Sequence, residues 1–128
     1  MDVLKAAKAL LSENGIEAKV GRLDSFTGKE GVVLRKLPMS VTDVYSDRAK
    51  ACAYLFQAVV RKRLKQDAEE LCEAIAETFD DAPVKSLDGS YRWVSTEIYT
   101  WPQELALDEA GMNAWEVSVR VDLILEGR

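Results

Sequence analysis

Ala51-Cys-Ala-Tyr-Leu-Phe-Gln-Ala-Val-Val60 is the most apolar run in the chain, and the basic run Arg61-Lys-Arg-Leu-Lys65 follows it directly. Read with period two, Cys52, Tyr54, Phe56, Ala58 and Val60 share one face; Ala53, Leu55, Gln57 and Val59 share the other. Both faces are largely apolar, which predicts a strand over 51–61 at the centre of a sheet. The pattern then changes to helical spacing. Ala68, Leu71, Cys72, Ile75, Ala76 and Phe79 form one stripe of a helix expected over 66–80, and Pro83 stops it.

The flanks can be added to this strand–helix unit. Asp2 is placed to cap a helix starting at Val3, with Val3, Leu4, Ala7, Leu10 and Leu11 on its buried stripe. Asn14-Gly15 ends that helix and Ile16 folds back onto it. Residues 17–23 and 31–37 read as two strands of a loose hairpin, joined through the turn-rich Asp24–Gly31 stretch and closed by Pro38. Residues 38–50 show neither periodicity and predict a long, mobile connection. After the Asp88-Gly89 turn, 91–99 predicts a strand ended by Trp101-Pro102, then a loop to Gly111. The last strand, 113–125, alternates most cleanly, with Trp115, Val117, Val119, Val121, Leu123 and Leu125 inward. The expectation is a single α+β domain over 1–128. It has one mostly antiparallel five-stranded sheet, two helices packed on one face, and the order α-β-β-β-α-β-β.

Composition narrows the chemistry. The 128 residues are 48% apolar and 30% charged, enough for one unstapled core. The absence of histidine excludes Ser/His/Asp triads, Cys/His pairs and His-ligated metals. Cys52 and Cys72 both lie on apolar faces and read as buried, reduced thiols. No stretch has the length of a membrane span and no signal peptide is visible, so the expected setting is a reducing cytoplasm. The net charge of −5 weighs against a general nucleic-acid binder.

Four stretches deserve weighing as sites. Gly28-Lys29 lacks phosphate-loop spacing, and Glu30 replaces the required hydroxyl residue, so a hairpin turn is the better reading. Arg61 to Lys65 is the densest basic run; it fits a solvated junction, an acidic neighbour's partner, or a phosphate backbone. Glu69, Glu73 and Glu77 form an acidic row on the outer helix face, without a partner base for acid–base work. Trp101, Leu105 and Leu107 fall in a loop, either as a partner surface or folded over the core edge. Catalytic, cofactor and metal residues are expected to be none. Packing within one subunit explains 38–50 and 101–111 least. The expected interface residues are Val44, Tyr45, Arg48, Trp101, Pro102, Leu105 and Leu107 from those stretches, with Arg61 and Arg63 of the basic run.

Nearly the whole chain resembles the minor capsid and tail-terminator proteins of long-tailed bacteriophages. The resemblance rests on the opening helix from Val3-Leu-Lys-Ala to Asn14-Gly15-Ile16 and on Gly31-Val-Val-Leu-Arg35 before Leu37-Pro38. A polar segment with Asp43, Tyr45 and Asp47 follows, then Phe56-Gln57-Ala58-Val59-Val60 and Ala74-Ile75-Ala76. Tyr99-Thr100-Trp101-Pro102 then leads through Asp108-Glu-Ala-Gly111 to the final strand; Trp101 departs from the polar residue expected before the proline. The resemblance implies a virion subunit, made in the bacterial cytoplasm. It would assemble with itself as a ring, usually a hexamer, that caps the tail tube and docks to the head–tail connector. It implies no cofactor, metal, membrane or specific nucleic acid. The alternatives left by the residues are a small α/β enzyme or ligand-binding subunit, or a nucleic-acid-binding regulator using Arg61 to Lys65.

Overall fold

The computed structural model describes residues 1–21, 30–105 and 111–126. The elements are α1 (Val3–Glu13), β1 (Lys19–Val20), β2 (Gly31–Lys36), β3 (Ser40–Val44), β4 (Lys50–Lys62), α2 (Lys65–Phe79), β5 (Arg92–Leu105) and β6 (Asn113–Leu125). They form an α+β fold with one six-stranded, mostly antiparallel sheet. Its order is β1-β2-β4-β6-β5, with β3 also paired to β4.

The 51–61 run is the centre of that sheet. β4 pairs with β6 from Lys50↔Leu125 to Lys62↔Asn113, and its other edge is shared by β2 and β3 in succession. One apolar cluster joins Val32 and Leu34 of β2, Cys52 to Val60 at alternate positions of β4, and Val117 to Leu123 of β6. Val3, Ala7 and Leu11 of α1 belong to it, as do Ala68, Cys72, Ile75, Ala76 and Phe79 of α2. α2 packs against β4, β5 and β6, whereas α1 packs against β1, β2 and α2. Phe79 meets Phe56 edge to face at 5.2 Å between ring centroids, a geometry that adds about 0.5–1.5 kcal/mol beyond burial.

The two ends of α1 are held differently. Gly15 adopts φ +76°, open to glycine at no steric cost, and the Ile16 amide donates to the Leu11 carbonyl at 2.9 Å. α1 does begin at Val3, but the Asp2 carboxylate does not cap it. It turns instead to the 86–90 segment, accepting from Ser86 Oγ at 2.7 Å, the Leu87 amide at 2.7 Å, the Asp88 amide at 3.1 Å and Ser90 Oγ at 3.1 Å.

Four expectations need correction. The sheet has six strands, because 38–50 is no loose connection: it holds β3 and a tight turn back into β4. β1 is only two residues long and runs parallel to β2, through Lys19↔Val33 and Val20↔Leu34, so the two are not a hairpin. The expected turn stretch, 24–31, lies outside the described residues as far as residue 29. β5 does not stop at Trp101-Pro102 but continues to Leu105. Proline is tolerated there because β5 is the edge strand, where a missing amide need not break a ladder.

Candidate functional site

The expected interface residues fall into separate places. Val44, Tyr45 and Arg48 occupy the tip of the β3–β4 hairpin. The Tyr45 amide donates to the Ala49 carbonyl at 2.8 Å and the Arg48 amide to the Tyr45 carbonyl at 3.0 Å. Arg48 is held at φ +69°, a left-handed conformation that few non-glycine residues adopt. Asp43 and Asp47 each use a carboxylate oxygen locally, accepting from the Val44 amide at 2.8 Å and the Ala49 amide at 3.0 Å. The apolar side chains at this tip are left in water: Val44 is 59% exposed and Tyr45 44%.

Trp101 and Pro102 lie on the opposite edge of the sheet. Trp101 is 57% exposed, yet it is not isolated. With Pro102 it forms one wall of a groove of about 280 Å³, and Glu73, Ala76 and Glu77 of α2 form the other. The acidic helix row therefore borders a cleft, which helical spacing alone did not reveal.

Arg61, Arg63 and Leu105 meet at a third place. Arg61 pairs with Ala114 of β6, which pairs in turn with Leu105 of β5. Two acids border the basic run, one at its backbone and one at a side chain. The Arg63 amide donates to Glu30 Oε2 at 3.1 Å, and Lys65 Nζ lies 3.4 Å from Glu104 Oε2. Asn113 Nδ2 donates to the Arg63 carbonyl at 2.8 Å. This is a fastened strand-to-helix junction. Leu107 lies outside the described residues.

A polar ladder crosses the sheet face opposite the apolar cluster. Arg35 Nε donates to Gln57 Oε1 at 2.7 Å, and Glu116 accepts from both Gln57 and Gln103. Further along, Arg120 reaches Asp122 at 2.9 Å and Glu97 at 3.8 Å. Every charge in it has an opposite or neutral partner, so the ladder offers no poised acid or base. Burial pushes the Cys72 thiol up to about 12, helped by the charges of Glu116 and Glu73; burial also raises Cys52. Such thiols are poor nucleophiles.

A second cleft, about 560 Å³, opens between α1 and the β1–β2 pair; Lys8, Glu17, Lys19 and Glu30 are among its lining residues. Among the described residues, no group of three acidic or sulfur side chains could hold a metal ion, and no helix is long and apolar enough to cross a membrane.

No protein-family model matches the chain. Comparison with curated proteins also finds no match. Among solved structures, the chain resembles one in the virion of a native gene transfer agent (GTA) particle, with a TM-score of 0.55 and 15% sequence identity. The alignment covers 95% of this chain and 91% of that one, so the likeness is of the whole fold.

Proposed function

We propose that this protein is a structural subunit of a phage-like virion, and within that class the tail terminator, or minor capsid, subunit. It would close as a ring, usually a hexamer, on the end of the tail tube and present a docking surface to the head–tail connector. The observation that carries the reading is the end-to-end fold correspondence with a chain of a gene transfer agent virion. The sequence resemblance to tail-terminator proteins supplies the finer role.

The surface chemistry supports assembly over catalysis. Two different patches stay exposed on opposite edges of the sheet, the Val44–Tyr45 tip and the Trp101–Pro102 wall. A contact between unlike patches repeats head to tail and gives a finite ring when its rotation closes. Lys65 of the basic run faces Glu104 and Glu30 ties down the Arg63 backbone amide, which supports reading the run as a structural junction. The reading assigns the chain no reaction and no cofactor, and places it in the assembled particle after synthesis in the bacterial cytoplasm.

The test is gold-labelled antibody against this protein on intact particles viewed by electron microscopy. Label should fall at the head–tail junction. Label along the whole tube or over the head shell, or none on particles, would overturn the assignment.

A further inference from the structure

Resting on the ring reading, we propose that the groove between α2 and β5 receives the β3–β4 hairpin tip of a second copy of this chain. Tyr45 and Val44 would lie against Trp101 and Pro102, with Arg48 between Glu73 and Glu77.

Three observations carry this. First, the surfaces match in polarity. The groove has an aromatic and proline wall, an alanine, and two carboxylates. The tip has an aromatic and a valine beside a guanidinium. Second, they match in charge. Asp43 and Asp47 are each turned to a local amide. Arg48 is exposed and has no ion pair among the described residues. Glu73 and Glu77 are likewise exposed without a salt bridge among the described residues. Third, the tip is built to hold one shape. Two backbone hydrogen bonds close it and Arg48 is fixed at φ +69°, so little ordering remains to be done on docking.

The contact is made by side chains, not by strand addition. Among the described residues, nothing pairs with the outer edge of β5. That edge nevertheless suits a continuing sheet poorly: its register shifts at 93/95, 98/100 and 100/103, and Pro102 lacks an amide. Bulges and proline are the usual devices that stop one edge strand pairing with another. The groove beside the edge is what remains open. Tip and groove are also different patches on opposite edges, so one subunit can use both at once.

The experiment uses the full-length double variant Tyr45→Cys/Trp101→Cys, oxidised at high protein concentration. Cys52 and Cys72 are buried and compete little. The double variant should give a ladder of covalent oligomers beyond the dimer, and each single variant at most a dimer. Charge reversal adds a second readout by sedimentation. Arg48→Glu alone, or Glu73→Arg with Glu77→Arg, should weaken self-association by about tenfold or more, and combining them should restore it, as expected when charges pair across an interface. Wild-type rings without the ladder and without charge rescue would overturn this docking and leave the ring reading standing. No self-association of wild type and no ladder would overturn both.

Discussion

Asp2 shows how a single side chain can act differently from its local motif. Its position before Val3 suits a helix cap, yet its carboxylate joins the chain start to the 86–90 segment. Burial alone would raise its pKa, but the hydrogen bonds from Ser86, Leu87, Ser90 and Asp88 outweigh it and hold the value below the ordinary 3.8. A carboxyl with a depressed folded value stabilises fully above its unfolded value, and the contribution is lost as pH falls through the folded one. Asp88, held at about 2 by Ser90 and then Ser86, extends the same window downward. Wild-type melting temperature should therefore fall more steeply than that of Asp2→Ala as pH drops below about 4. At neutral pH the variant should lose about 1–3 kcal/mol, because the Leu87 and Asp88 amides lose their acceptor. Parallel pH curves for the two proteins would contradict this account. The cysteines give a second check at this scale. Native Cys52 and Cys72 should react slowly with a thiol reagent and quickly in denaturant; rapid native labelling of either would be inconsistent with their burial.

At the scale of the element, α2 carries the clearest expectation. Ile75 is fully buried and Leu71 packs on the same cluster. Ile75→Asp forfeits about 2–5 kcal/mol of packing and adds an unpaired buried carboxylate, most of a typical domain's 5–15 kcal/mol. The variant should be unfolded by circular dichroism; a cooperative wild-type-like melt would mean this face of α2 is not in the core. Elements that bury a full stripe were legible in the sequence, α2, β4 and β6 above all. β3 was not, and the reason is physical. Ser40-Val-Thr-Asp-Val44 is exposed at every position, so no buried face imposes alternation. It is held as a strand by pairing with β4, with Thr42 Oγ1 adding a bond to the Ala51 carbonyl. The β-branched Val41, Thr42 and Val44 were the available signal. β5 was cut short for a related reason: the rule that proline ends a ladder applies to central strands, and sheet order is set by contacts far apart in sequence. The same distance hid the groove, since Glu73 and Trp101 each read as surface until the sheet placed β5 beside α2.

At the scale of the whole molecule, a rigid sheet presents unlike patches on its two edges. The core fixes the angle between them, so the angle between successive subunits is a property of the fold. Closed rings arise when that angle divides a full turn; otherwise repetition gives a filament. A ring at the end of a tube stops growth by covering the surface on which the next tube layer would form. Under the proposed terminator role, loss of the protein should leave tube length uncontrolled and the tail end unready for a head. The most direct measurement is electron microscopy of particles assembled without this gene. The account predicts overlong tails, or tails and filled heads left unjoined. Tails of normal length, normally joined to heads, would contradict it.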